Sequence, residues 1–341
     1  MSHKRSFRLS VALLAALVVS LAPGAAAQKD KDKKKAKEPP PQGTAVLWRD
    51  PGDVAALDLL NGPGGAEMKP DLSRLTFVKE EKGGYSKKFR VRDAAGRVWV
   101  AKVGKEAQPE TAVTRLVWAA GYPVEVTYLA PCATIDGAPK PKEAEQCEGG
   151  GYANVRFEAR PENVKRLDVW RWESNPFAGK RELRGLKILM ALVENWDMKD
   201  DNNRVLAVSG ASGTELQHVV SDLGATIGKT GGQSGPISFI RQVKGTRNEP
   251  GDYAADKFID GVEGDRVLFN FSGKNSEMMR DITVEDARWL GGILSRLTDK
   301  QIEDAFRAAN YNPEEVRLLA ASVRSRINQL TNPPAGGAAT P

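Results

Sequence analysis

Residues 191–205 read ALVENWDMKDDNNRV and residues 219–228 read VVSDLGATIG, and these two stretches decide how the rest of the chain is read. The first holds Asp197-x-Lys199-x-x-Asn202. The second, 25 residues after Asp197, holds Asp222-x-Gly224. An aspartate and an amide five positions apart, with another carboxylate just past a β-like run, supply oxygen donors for a hard divalent cation and a carboxylate to orient a nucleophile. Upstream, KRELRGLKILMALVEN places apolar residues at 183, 186, 189, 190 and 193, close to a 3.6-residue period. A buried helix is therefore expected to deliver the chain to this polar loop and to support it rigidly.

Toward the N-terminus, LTFVKEEKGGYSKKFRVRDAAGRVWVAKVG (75–104) reads as three strands. Leu75 and Phe77, Phe89 and Val91, then Val98, Val100 and Lys102 alternate, with turns at Gly83-Gly84 and Ala94-Ala95-Gly96. Lys102 shares the face of Val98 and Val100, and a lysine on an apolar strand face needs a partner. The segment after Pro109, ETAVTRLVWAAG, reads as a helix with Val113, Leu116 and Val117 as its stripe and Glu110 in its first turn, where the helix dipole favours a carboxylate. Taken alone, the two residues also fit a lysine snorkelling from an edge strand and an unrelated helix-start glutamate. PVEVTYLAP (123–131) and GYANVRFEAR (151–160) read as two further strands. A polar connection, VKRLDVWRWESNPFAG, follows, and Trp170 and Trp172 are expected to pack there at a hinge between lobes. Residues 283–330 read as three helices capped at Thr283, Thr298 and Asn312-Pro313.

In order over residues 75–228, this set resembles the protein-kinase-like superfamily, particularly its HipA-type, phosphoinositide-type and secretory-pathway branches. The resemblance implies an α+β, bilobal kinase-like fold, with a small antiparallel β-sheet lobe carrying one helix and a larger, mostly helical lobe. It implies that Asp197 orients or deprotonates an acceptor hydroxyl, and Lys199 neutralises charge on the transferred phosphoryl group. Asn202 and Asp222 would hold magnesium or manganese, and Lys102 with Glu110 would grip the phosphates of ATP or another nucleoside triphosphate. Gly83, Gly84 and Ser86 stand where a phosphate-covering loop belongs, although KGGYSKK also reads as a hairpin turn. Leu223 departs from the usual phenylalanine, no G-x-G-x-x-G opens the small lobe, and no A-P-E follows.

Two look-alikes fail. GATIGKT (224–230) has three residues between its glycines where a phosphate loop needs four. DMKDDNN imitates a calcium loop, but Lys199, Asn202 and Val208 occupy its third, sixth and twelfth positions. The stretch after Gly228 is read instead as an activation-type or substrate loop.

Composition narrows the chemistry further. Lys4, Arg5 and Arg8 precede an apolar run from Val11 to Ala22 and an A-x-A site, so residues 1–27 are expected to be a secretory signal. Residues 28–45, rich in charge and proline, are expected to be a disordered tether. Residues 46–160 would form the small lobe, 161–330 the large lobe and 331–341 a tail. Without the signal, 47 Lys/Arg face 44 Asp/Glu, so the pI of 9.1 is no nucleic-acid signature. No spanning segment would remain after cleavage, and a secreted or periplasmic location is expected. Cys132 and Cys147, the only cysteines, are expected to close a 14-residue loop by a disulfide. With His3 in the signal, His218 is the one histidine left, which excludes a multi-histidine metal site, and it is read as a partly buried strand residue. Three functions stay open: a phosphotransferase acting on a protein, lipid or glycan; a pseudokinase binding nucleotide or metabolite; and a secreted interaction module.

Overall fold

The computed structural model describes residues 41–83, 85–139, 144–234, 241–243 and 245–334. The expected signal, Gly84, most of the expected tether and most of the expected tail lie outside the described residues. After β1 (Thr44–Val46), strands β2 (Thr76–Glu81), β3 (Lys88–Arg92) and β4 (Val98–Lys102) lead into helix α1 (Ala107–Ala119), followed by β5 (Thr127–Ala133) and β6 (Tyr152–Ala159). These strands from β2 onward form one antiparallel sheet in the order β2-β3-β4-β6-β5. The Cys132–Cys147 disulfide forms, with Cα atoms 5.7 Å apart, and ties the end of β5 to the approach to β6.

The sheet's two faces differ in chemistry. Phe89, Val91, Trp99, Ala101, Tyr128, Val155 and Phe157 are buried together on one face and form a core of their own with Leu75 and Ile135. The opposite face carries Val100, Lys102, Arg156 and Glu158, with Lys102 opposite Arg156 and Val100 opposite Glu158. Lys102 thus shares a face with Val98 and Val100 as expected, but the core lies under Trp99 and Ala101. VWVA is apolar at every position, so alternation alone did not distinguish its faces.

After β6 the chain forms β7 (Val164–Arg166), α2 (Arg181–Leu192), β8 (Asn203–Gly210), β9 (Gly213–Val220), the β10 (Gly232–Ser234) and β11 (Arg241–Val243) hairpin, α3 (Pro250–Ala255), the β12 (Ile259–Glu263) and β13 (Arg266–Phe269) hairpin, and helices α4 (Val284–Leu294), α5 (Asp299–Arg307) and α6 (Pro313–Thr331). A second, larger core draws on α2, β8, β9, α3, β12, β13 and α4 to α6. Each of the last three helices starts with a reciprocal capping box, at Thr283, Thr298 and Asn312. Such a box satisfies amides that the helix itself leaves unpaired. Helix α2 runs through the centre, with Ile188, Leu189 and Met190 fully buried. The architecture is α+β and two-lobed, and the larger lobe holds a four-stranded sheet, β1-β9-β8-β7, besides its helices.

Three expectations change. The first described strand lies inside the expected tether, because Thr44 and Ala45 pair with Glu215 and Leu216 in the only parallel strand pair among the described residues. The following residues do not join the small lobe. Leu47, Val54 and Leu59 enter the larger core, the Trp48 ring packs at a tilt against Trp289 with centroids 5.3 Å apart, and Gln301 Nε2 donates to the carbonyls of Val54 and Leu57 at 2.9 and 2.8 Å. The small-lobe core is first met near Met68, well after the expected boundary at 46. Finally, Trp170 and Trp172 are not at a hinge. Their rings meet at 4.8 Å inside the larger core, and Trp170 Nε1 donates to Val219 O at 2.9 Å.

Helix α1 belongs to both halves. Ala112, Val113, Leu116 and Val117 enter the larger core, and Gln108 Nε2 donates to Ala309 O and Asn310 O beyond α5 at 3.2 and 3.0 Å. On its sheet side, Arg115, 1% exposed, donates to Thr127 Oγ1 and O at 2.9 and 2.8 Å.

Candidate functional site

Lys102 ends β4 with only 2% of its surface exposed. A buried ammonium is costly unless it is paired, and three carboxylates surround it: Glu110 at 2.7 Å, Glu106 at 2.9 Å and Asp222 at 3.3 Å. Burial works against the charge, but Glu110, Asp222 and Glu106 outweigh it and hold Lys102 protonated above the ordinary lysine range. Glu110 is itself fixed from the other side, because Arg156 Nη2 lies 3.2 Å from its Oε1 and 2.7 Å from Glu158 Oε2. Glu158 also meets Arg160 and Arg166, and Arg166 donates to Ser221 Oγ at 2.8 Å, immediately before Asp222. The β-sheet and the larger lobe are thereby joined by charge.

Asp222 sits at the end of β9. Burial raises its pKa, but Lys102, the Gly224 amide and Arg156 prevail and hold the carboxyl below its ordinary value. It stays ionised, and its side chain keeps 34% of its surface exposed. The loop after α2 approaches from the other side. Val193 ends the helix, Glu194 turns the chain at φ +57°, and Asn195 Oδ1 accepts from Asp197 N at 3.3 Å. Asn202 Nδ2 donates to Asp197 O at 2.7 Å and to its Oδ2 at 3.2 Å, while Lys199 Nζ lies 2.9 Å from that same oxygen. Asn202 and Asp222 adjoin through the backbone, since the amides of Ser221 and Asp222 both donate to Asn202 O, at 2.8 and 3.1 Å.

The donor set is compatible with a hard cation. Asn202 spends its amide hydrogens on Asp197, which leaves its oxygen as the atom able to ligate, beside the ionised Asp222. Among the described residues no cluster of three His, Cys, Asp or Glu side chains could enclose a metal. Magnesium commonly takes only one or two protein oxygens and completes its shell with phosphate and water.

The glycine hairpin is placed less simply. Gly83 turns at φ +93°, a conformation that favours glycine, and Ser86 Oγ donates to Glu106 Oε2 at 2.6 Å. Lys229 of the phosphate-loop look-alike lies 3.5 Å from Asp252. His218 is buried on β9 beside Phe177 and Trp170, where burial lowers its pKa despite the nearby Leu216 and Val46 carbonyls.

Sequence reasoning did not single out Glu106, Arg156, Glu158 or Arg247. Each acts through a partner on another element, and the local signals were the Lys102-to-Glu106 spacing of four residues and the alternation of Arg156, Glu158 and Arg160. Another unforeseen pair lies under the loop: Glu194, 1% exposed, accepts from Arg326 of α6 at 2.6 Å, and Arg326 also donates to Leu192 O and Tyr253 O.

The strand lysine is thus paired to a helix glutamate and to the Asp222-Leu223-Gly224 turn, and the Asp197-to-Asn202 loop adjoins that turn through the backbone. No protein-family model matches the chain, and no curated protein matches it. Among solved structures it is similar to the Helicobacter pylori proinflammatory kinase CtkA, at 10% identity and a TM-score of 0.45, over 77% of this chain and 96% of that one. It is similar also to the structure of hydra Fam20 with sugar, at 12% identity and a TM-score of 0.30, over 78% of this chain and 88% of that one. Overlaps this loose carry no residue correspondence, so any role must rest on the side chains themselves.

Proposed function

We propose that the protein is an exported phosphotransferase that moves the γ-phosphoryl group of a nucleoside triphosphate, with magnesium or manganese, onto the hydroxyl of a protein, lipid or glycan. The observation that carries this reading is the buried Lys102 ammonium held between Glu110 and Asp222, 2.7 and 3.3 Å away on separate elements. A structural ion pair needs one partner. This one joins the sheet, α1 and the turn after β9 at the mouth of the polar loop.

In this mechanism Lys102, aligned by Glu110, would grip the α- and β-phosphates, and Asp222 with the Asn202 oxygen would hold the cation. The cation, when bound, neutralises phosphate charge. Asp197 Oδ2 orients the acceptor hydroxyl and takes its proton as the oxygen attacks phosphorus and the bond to the leaving diphosphate breaks. Lys199, 2.9 Å from Asp197, offsets charge on the group in transit. Export accords with the disulfide, since such bonds persist in oxidising compartments. No helix among the described residues is long and apolar enough to cross a membrane.

The test incubates purified protein with labelled ATP, magnesium or manganese, and envelope extract or the protein itself as acceptor. Label transfer that Asp197→Ala abolishes supports the reading. Metal-dependent binding without transfer to any acceptor would replace it with the pseudokinase, and no binding of ATP, GTP or ADP in a thermal-shift screen would leave the interaction module.

A further inference from the structure

Glu106 is held in an unusual way for a residue at the start of a helix. Its side chain makes no capping bond to α1. Its Oε2 instead takes Ser86 Oγ at 2.6 Å and Lys102 Nζ at 2.9 Å, and its Oε1 takes Arg247 Nη1. The guanidinium of Arg247 is stacked 4.5 Å from the Tyr85 ring and 4.8 Å from the Trp196 ring. Thus one carboxylate, 4% exposed, gathers a hydroxyl from the glycine hairpin, the strand lysine and an arginine from the loop before α3. It lies directly over the Asp222-Leu223-Gly224 turn, where a Cβ on Gly224 would meet Glu106 Cβ at 2.6 Å.

Three donors of these kinds, converging from separate elements, are what a phosphate group requires. We infer that Ser86, Lys102 and Arg247 form a phosphate-binding site which the protein's own Glu106 occupies until a polyphosphate displaces it. This rests on the nucleotide reading above and adds two statements to it: Arg247 is a ligand-binding residue, and Glu106 is an intramolecular competitor. Displacement also frees Arg247 from its place between Tyr85 and Trp196 and so changes the surroundings of the Trp196 indole. A protein whose binding-competent state is only partly populated binds its ligand more weakly by that fraction, so removing the competitor tightens binding.

The experiment is calorimetric titration of the full chain and of Glu106→Ala, Glu106→Gln, Arg247→Ala and the Glu106→Ala/Arg247→Ala double variant, with near-ultraviolet circular dichroism as the folding control. The probes are inorganic tripolyphosphate alone and ATP with magnesium. Tripolyphosphate is expected to bind Glu106→Ala about tenfold more tightly than the parent, with the gain lost in the double variant and Trp196 fluorescence changing on binding. Folded Glu106→Ala and Glu106→Gln that bind no more tightly than the parent overturn the inference, as does a double variant that keeps the gain. The ATP arm separates this failure from that of the function. ATP bound equally by the parent and the Glu106 variants leaves the nucleotide reading standing without the competitor, whereas the tripolyphosphate pattern with no ATP binding leaves the anion site standing without the nucleotide.

Discussion

Replacing Glu194 by glutamine removes one ionisable hydrogen from beneath the polar loop while keeping the shape of the side chain. Glu194 is 1% exposed, and its Oε1 accepts from Arg326 at 2.6 Å. Burial, opposed by Arg326 and reinforced by Asp256, pushes its pKa from 4.5 to about 7. An acid whose folded pKa exceeds its unfolded value binds more protons in the folded state, so stability from this group falls as pH rises from about 4.5 through about 7. The gap corresponds to about 3 kcal/mol withheld from the folded state at pH 8. Glutamine cannot ionise and still accepts from Arg326. The variant should therefore melt higher than the parent at pH 8, by roughly 5–10 °C for a chain of this size, and the difference should close toward pH 5. Thermal unfolding of both proteins by circular dichroism between pH 5 and pH 8 measures this directly. A variant that melts lower at pH 8, or by a margin that does not vary with pH, would refute the reasoning, because it would mean that the ionised pair with Arg326 is a net stabiliser.

Asp222→Asn is expected to abolish magnesium-dependent nucleotide binding in calorimetry while leaving the protein folded; unchanged binding would remove Asp222 from the metal role. Asp197→Ala is expected to end phosphate transfer and to alter nucleotide affinity by less than about threefold, since the residue acts on the acceptor rather than on ground-state phosphates. Because Asp222, Glu106 and Glu158 are all held below their ordinary pKa values, the stability they contribute is present above the ordinary carboxylate range and lost as pH falls through the folded values. Acid titration of the parent should show it. Reduction of Cys132–Cys147, which closes a loop of 15 residues in sequence separation, should cost about 3 kcal/mol in denaturant melts.

What could be read beforehand was what local pattern encodes. The capped helices α4 to α6 announce themselves through Thr283, Thr298 and Asn312, because a capping box is satisfied within four residues. The pairing of Lys102 with Glu110 was legible because a buried lysine demands a counter-charge and the next helix offered one in its first turn. β1 was not legible, because three residues at the edge of a charged stretch gain strand character only from β9, about 170 positions away. Arg247 and Arg156 were missed for a related reason. Arg247 meets Glu106 and Arg156 meets Glu110, partners set by tertiary geometry from distant stretches of the chain.

Helix α1 carries Glu110, and the same helix supplies Val113, Leu116 and Val117 to the larger core while Arg115 grips β5. A helix so built in has no hinge of its own. The alignment of Lys102 should then persist for as long as the domain is folded and disappear only with global unfolding, so amide protons of α1 should exchange at the slowest rate in the chain. Under the proposed function, timing is then set by the arrival of ligands and by the loops that admit them.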